Sequence, residues 1–210
     1  HDALPICLLL EDGSTYGAFP LTSFELEEIY KNASKNSQIK VVTFDNALVL
    51  VEPSEKQKEV LIFGAGHVAQ PTAYLASLVD FRVSVFDDRQ EFANADRFPT
   101  AGKIHLLENF ENSFSDLKVD EDSFIIIVTR GHLYDKTVLA NALKTNAGYI
   151  GMIGSRKKRN AIYNFLLDQG FTTSDLDRIH CPIGISIGAE TPEEIAMSIV
   201  AELIRQRAGK

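Results

Sequence analysis

The chain of 210 residues reads as an α/β protein, a doubly wound parallel sheet preceded by a small α+β block. Three observations predict this. Glu59 to Phe63 is a short apolar run that enters the turn Gly64-Ala65-Gly66-His67-Val68-Ala69, and an apolar-periodic stretch follows. A second apolar run, Phe81 to Phe86, ends on Asp87-Asp88, with Asp87 standing 23 positions after Gly64. Phe124-Ile125-Ile126-Ile127-Val128 is apolar at every position, as a parallel strand covered on both faces requires. Strand, Gly-x-Gly-x-x-Ala turn, helix, strand and acid form the Rossmann-like arrangement for a phosphate. The first Gly permits a tight turn, the second lets main chain approach the anion, and the small third residue lets helix and strand pack closely. The free amides of the new helix face the anion, and a carboxylate after the second strand can accept from a ribose diol. A doubly wound domain without a nucleotide, built on a tight first crossover, gives the same pattern.

The elements follow in order. In the first block, residues 1–55, Ile6 to Leu10 reads as a strand and Glu11-Asp12-Gly13-Ser14 as a hairpin turn. Phe24 to Tyr30 reads as a short helix with Ser23 as its cap. Val41 to Phe44 and Ala47 to Val51 read as strands around the turn Asp45-Asn46, and Glu52 to Lys58 as a polar linker. The second block, residues 58–210, alternates strands at 59–63, 81–86, 103–107, 123–129 and 148–152 with helices at about 67–79, 135–145, 156–169 and 192–207. Thr191-Pro192-Glu193-Glu194 supplies the last helix with a cap, a first-turn Pro and a capping-box Glu. Ile195, Ile199 and Leu203 then repeat along one face.

Composition bounds the function. Hydrophobic content of 45% and charged content of 24% suit a globular protein. The formal charge of −8 argues against nucleic acid and anionic membrane surfaces as partners. No apolar run reaches the roughly 18 residues of a membrane span. Cys7 and Cys181 give no disulfide framework, which fits the cytoplasm. The chain begins with His1 rather than Met, so an upstream segment is expected. The acidic residues after Leu8-Leu9-Leu10 do not fit a signal peptide.

In a doubly wound sheet, ligands sit outside the carboxyl ends of the strands. The candidates at that edge are Gly64, Gly66 and His67, then Asp87 and Asp88, then Arg130 and His132, and finally Gly154, Ser155 and Arg156. Arg156-Lys157-Lys158-Arg159 opens a helix, where the dipole disfavours cations by about 0.3–1 kcal/mol each. A phosphate on the Gly154-Ser155 amides, with Arg156 in bidentate contact, would reverse that penalty. A solvated basic face accounts for the run equally well. His132 reads either as a proton carrier or hydrogen-bond donor to a heterocycle, or as a turn-capping residue ahead of a helix begun by Asp135. Of the paired acids, both serve a site or one binds Arg89. His105, His180 and Cys181 read as structural. No metal-ligand spacing is present, no Gly-x-Ser-x-Gly elbow offers a hydrolase nucleophile, and no tyrosine has a lysine four residues on. We therefore assign no catalytic and no metal residues.

Several of these segments are specific. Leu61 to Val68, Val85 to Arg89, Arg97-Phe98-Pro99, Thr129 to His132, Tyr149 to Arg156, Pro182-Ile183-Gly184 and Ile187 to Ala196 together resemble the XdhC/CoxI family of xanthine dehydrogenase accessory proteins. The resemblance covers about 60–210. It implies a non-catalytic maturation factor for molybdenum hydroxylases of the xanthine dehydrogenase type. Such a factor binds molybdenum cofactor (a molybdopterin) and assists its sulfuration and insertion into the apoenzyme. It also implies a cysteine desulfurase as a partner and a homodimer. Within it, the glycine-rich amides and Arg156 would hold the phosphate end, while Arg130, His132 or the Asp87-Asp88 pair meets the pterin. The first block departs from the family: Tyr16 to Glu25, the nearest counterpart of a Gly-Gly-Cys segment, has neither the glycine pair nor the cysteine. Sulfur or metal handling by that cysteine is therefore not expected. The alternative is an NAD-dependent oxidoreductase, in which Asp87 selects NAD over its 2′-phosphorylated relative, or a nucleotide-sensing binding protein.

Overall fold

The computed structural model describes residues 6–209 apart from 11, 18–20, 34–38, 45–46 and 54–55; at 32, 33, 47, 132 and 133 it describes the main chain alone. The expected turn Asp45-Asn46, Glu11 of the first hairpin and the middle of the linker lie outside the described residues. The chain divides into two compact units, His1–Lys56 and Gln57–Lys210.

In the first unit, β1 (Leu8–Leu9) pairs antiparallel with β2 (Thr15–Tyr16). The Asp12 carboxylate accepts from the Ser14 N–H at 2.9 Å, and Gly13 takes the left-handed conformation the turn needs. Helix α1 (Ser23–Ala33) starts one residue earlier than the sequence suggests. Its cap is Thr22, whose hydroxyl accepts from the Glu25 N–H while the Glu25 carboxylate accepts from the Thr22 N–H. Strands β3 (Lys40–Phe44) and β4 (Ala47–Val51) form an antiparallel ladder in which Lys40 faces Val51 and Phe44 faces Ala47.

The second unit is a six-stranded, all-parallel sheet. Its strands are β5 (Glu59–Phe63), β6 (Arg82–Asp87), β7 (Lys103–Leu106), β8 (Ser123–Ile127), β9 (Tyr149–Met152) and β10 (Ile179–His180). Their spatial order is β10-β9-β8-β5-β6-β7. Successive side chains of a strand point to opposite faces, which sorts the apolar residues into two cores. Val60, Ile62, Val83, Val85, Phe124 and Ile126 pack under α2 (Ala69–Leu78) and α6 (Pro192–Arg207). Leu61, Phe63, Phe86, Ile125 and Ile127 pack under α3 (His132–Leu143) and α4 (Arg156–Asp168). The doubly wound architecture follows: β5 leads to a helix on one face, its neighbour β8 to a helix on the other. Between β5 and β8 the winding reverses, and that is the topological switch point.

Two short elements escape the sequence reading, α5 (Thr173–Leu176) and β10. Neither is long enough to show a period. Helix α3 begins at His132, three residues before the Asp135 start that the sequence suggests. Gly131, with φ +88°, turns the chain into it. The connection from β6 to β7 contains turns rather than a regular helix, and it buries Phe98 in the α2–α6 core.

On the β9–β10 side, Glu202 of α6 is a buried carboxylate at 5% exposure. It accepts from the Tyr149 hydroxyl at 3.0 Å, from the Gly184 N–H and from Arg205 Nη2 at 2.9 Å, with His180 Nδ1 at 3.3 Å. Burial opposes its ionisation, but the contacts from His180, Gly184 and Tyr149 outweigh burial and hold its carboxyl below the usual range. Burial, then the Glu202 charge, pushes the Tyr149 hydroxyl far above the usual phenol range. Glu202→Gln is expected to cost about 3 kcal/mol or more, the order found on breaking a buried charged network. The Glu202 contribution is fully present above its unfolded pKa of about 4.3 and is lost as pH falls through its lower native value. Urea titrations between pH 3 and 7 check this: wild type should lose its advantage over the glutamine variant at the acid end, and parallel pH profiles would refute the assignment.

Candidate functional site

The site is built on the loop that leaves β5. Gly64 has φ +103°, and a Cβ there would lie 2.5 Å from the Val128 carbonyl oxygen and 2.8 Å from Thr129 Cα. No side chain fits that approach. The Gly64 N–H donates to the Phe86 carbonyl at 2.7 Å, so the ends of β5, β6 and β8 are knitted at one point. The next N–H, of Ala65, donates to Asp87 Oδ2 at 2.7 Å. Asp87 is 1% exposed and also accepts from Arg89 through N–H, Nε and Nη2 at 3.1, 2.8 and 2.9 Å. Burial raises the Asp87 carboxyl, but the Arg89 side chain and the Ala65 N–H overcome it and leave the group below the ordinary carboxylate range.

Two expectations change here. Gly64 packs and turns; its N–H is not available to an anion. Asp87, expected to face a ribose, is turned under the loop and fully engaged as its brace. The free donors begin further along. Among the described residues, none accepts a hydrogen bond from the N–H groups of Gly66, His67 or Val68. Helix α2 starts at Ala69 with Val68 as a cap that supplies no side-chain hydrogen bond, so the first-turn donors have no capping side chain. A Cβ on Gly66 would meet nothing within 4 Å, and His67 is exposed.

The rim is formed by the neighbouring loops. Asp88 follows β6 and Arg130 follows β8; Arg130 Nη2 donates to Asp88 Oδ2 at 2.8 Å. Since β5 lies between β6 and β8, this ion pair bridges the end of the glycine loop. The other Asp88 oxygen, Oδ1, is buried without a hydrogen-bond partner. His132 opens α3 at the same edge, and its side chain lies outside the described residues.

The turn after β9 emerges at the same edge, two strands from β5, or roughly 10 Å at the usual strand spacing. Ser155 caps α4 by accepting from the Lys158 N–H at 3.2 Å. The cation run resolves internally more than the sequence suggests. Lys158 folds back over Gly154 to donate to the Ile153 carbonyl at 3.2 Å and to pair with the fully buried Asp135. Asp135 also accepts from the Thr129 hydroxyl at 2.7 Å. Arg159 turns toward the Cys181 carbonyl and Asn160. Arg156 and Lys157 are exposed. A ligand is thus not required to offset the whole run; the Asp135 carboxylate already neutralises one member.

Sequence reasoning missed Arg97. It sits in the turn-rich β6–β7 connection, its Nη2 is 3.4 Å from the Ala65 carbonyl, and its buried Nε has no hydrogen-bond partner. No periodicity marks it; the Arg97-Phe98-Pro99 segment was its only signal. His105 stacks on Phe86 with ring centres 4.5 Å apart, and burial lowers its pKa. Cys181 is buried, which pushes its thiol up. Among the described residues no group of three His, Cys, Asp or Glu could hold a metal ion, and no helix is long and apolar enough to cross a membrane.

Residues 60–203 match the family described as the XdhC Rossmann domain. The chain belongs to the XdhC family. It is 29% identical over 202 residues to a probable xanthine dehydrogenase subunit of Bacillus subtilis (strain 168), an alignment covering 95% of this chain and 57% of that protein. It is 23% identical over 148 residues to the molybdenum cofactor insertion chaperone PaoD of Escherichia coli (strain K12), covering 70% and 40%. The chain thus spans about half the length of these curated relatives. A solved structure described as a xanthine dehydrogenase from Bacillus halodurans superposes with a TM-score of 0.66 at 23% identity, covering 93% of this chain and 67% of that one. That likeness shows the shared fold.

The two glycines of this XdhC loop should behave differently. Gly64→Ala is expected to cost about 2–4 kcal/mol, from a left-handed backbone and a main-chain clash together. Gly66→Ala should stay within about 1 kcal/mol. Urea unfolding midpoints decide between them, and equal costs would sink the distinction.

Proposed function

We propose that this chain is a maturation factor for molybdenum hydroxylases of the xanthine dehydrogenase type, binding molybdenum cofactor and assisting its sulfuration and insertion. The observation that carries the reading is the set of unengaged main-chain donors at Gly66, His67 and Val68. They sit at the switch point of an XdhC domain, and the loop after the neighbouring strand carries Asp88, whose Oδ1 is buried without a hydrogen-bond partner, 3.8 Å from Arg89 Nε. Amides at a helix start suit a phosphate, and a carboxylate acceptor suits an N–H of a polar heterocycle. A molybdopterin offers both groups. In this arrangement Gly66 and His67 hold the phosphate end. Asp88 and Arg130 face the heterocycle, His132 follows at the same edge, and Gly154, Ser155 and Arg156 flank its far side. The cofactor is cargo; its metal centre supplies the redox chemistry in the client enzyme, and the chain holds and shields it.

The names of relatives support the reading, one a molybdenum cofactor insertion chaperone and one a probable subunit of xanthine dehydrogenase. The same proposal takes a xanthine dehydrogenase-like apoenzyme as client, a cysteine desulfurase as the source of the cofactor's sulfur, and a homodimeric state. It sets the protein in the cytoplasm, whose reducing conditions suit two free cysteines. The NAD-dependent alternative loses its main support, because the Asp87 carboxylate is already engaged by Ala65 and Arg89.

Mass spectrometry of ligands retained by the native protein tests the proposal. Wild type should carry a pterin phosphate. Gly66→Ala, which places a methyl in the open space above the loop, and Arg156→Ala should each retain several-fold less. A nicotinamide dinucleotide in its place, or undiminished pterin in both variants, would overturn it.

A further inference from the structure

We infer that Arg97 is the side-chain anchor for the phosphate at the Gly66–Val68 turn, an inference that rests on reading that turn as a phosphate site. The cations around the crest differ in what they already hold. Arg89 grips Asp87 through Nε and Nη2. Arg130 is paired with Asp88 and Lys158 with Asp135. Arg156 is exposed to solvent. Arg97 alone, among the described residues, keeps a buried guanidinium N–H with no acceptor. Its second contact, from Nη2 to the Ala65 carbonyl, is long at 3.4 Å. A buried charged donor without an acceptor is costly, and native structures that contain one usually leave it for an ion, a water or a ligand.

Its position is fixed by groups other than the missing acceptor. The Arg97 N–H donates to Asn94 Oδ1 at 3.1 Å, and the guanidinium lies over the Phe92 ring, 4.9 Å from its centre. The Ala65 contact ties it to the glycine loop, one residue before the free amides. It also lines a groove of about 430 Å³ together with His67, Gln70 and Tyr74. Among the described residues, Glu193 is the one acid on that groove, and it is exposed at the start of α6. The Arg97 guanidinium and His67, which carries one of the unengaged N–H groups, therefore line the same groove, two sets of donors beside one another. An oxyanion satisfies both sets at once, and guanidinium geometry suits a phosphate monoester.

Calorimetric titration of the full chain with inorganic phosphate and with AMP tests this, the two probes separating the free anion from the monoester. Arg97→Gln should weaken binding of both by about tenfold or more, as expected for loss of a charged hydrogen bond. Arg97→Lys should recover only part, since it keeps the charge but has no Nε–H. Lys157→Gln, an exposed neighbour on α4, should bind both probes like wild type. Should the glutamine variant not fold, the wild-type protein still decides. Its Arg97 Nε–H resonance, identified by its absence from Arg97→Lys, should shift and gain protection from exchange on saturation with phosphate. Unchanged affinity in Arg97→Gln or an unmoved Nε–H signal would make Arg97 a purely structural residue. Weakening confined to AMP would assign it to the nucleoside rather than the phosphate. Any of the three would overturn the inference alone. Wild-type protein that binds neither probe would overturn the phosphate site itself.

Discussion

Close contact between Gly64 and the Val128–Thr129 main chain is the constraint on which the rest of the crest depends. The left-handed glycine lets the end of β5 meet the end of β8 with no side chain between them. From there the chain must climb over the sheet, and the Asp87 carboxylate catches it from below through the Ala65 N–H. Arg89 then neutralises Asp87, so a buried charge can brace a loop that would otherwise leave its first donors unsatisfied. The donors left unengaged are the next three, where α2 is about to begin. Packing at one glycine thus determines which amides remain available.

A second consequence concerns charge. The carboxyl edge of the sheet collects Arg89, Arg97, Arg130, Arg156 and Lys158, although the chain carries a formal charge of −8. Most of these cations are matched locally: Asp87 faces Arg89, Asp88 faces Arg130 and also Arg89, and Asp135 faces Lys158. The matching is sequential along the edge. Thr129 touches the glycine loop at one end and donates to Asp135 at the other, and Asp135 holds Lys158. The loops after β5, β8 and β9 are therefore joined by direct contacts. Preorganised donors lose little on binding an anion, because ordering costs were met during folding.

The buried Glu202 cluster performs a comparable service away from the crest. It joins β9, β10 and the start of the Gly184 turn to α6. In β10, only two residues pair with β9, so such an anchor matters for a short edge strand. The Glu202 carboxylate is satisfied within the cluster, and this separates it from the Arg97 and Asp88 atoms that lack hydrogen-bond partners.

Local pattern made the fold legible. Continuous apolar strands, the Gly-x-Gly-x-x-Ala turn and the capping box at Thr191 are properties of neighbouring residues, and they appear where expected. Short elements such as α5 and β10 were not legible, since two to four residues carry no period. The site was legible as an edge but not as a set of contacts. Gly66 and Asp88 keep open valences there, whereas Gly64 and Asp87 are consumed by packing. Arg97 enters from 33 positions beyond Gly64. Sequence alone determined the longer strands and helices and which loops share the carboxyl edge, because periodicity and capping act over a few residues. Only the tertiary structure decided which donors and acceptors stay open. A hydrogen bond between Ala65 and Asp87, or an ion pair between Asp135 and Lys158, exists only once the sheet has brought distant segments into contact.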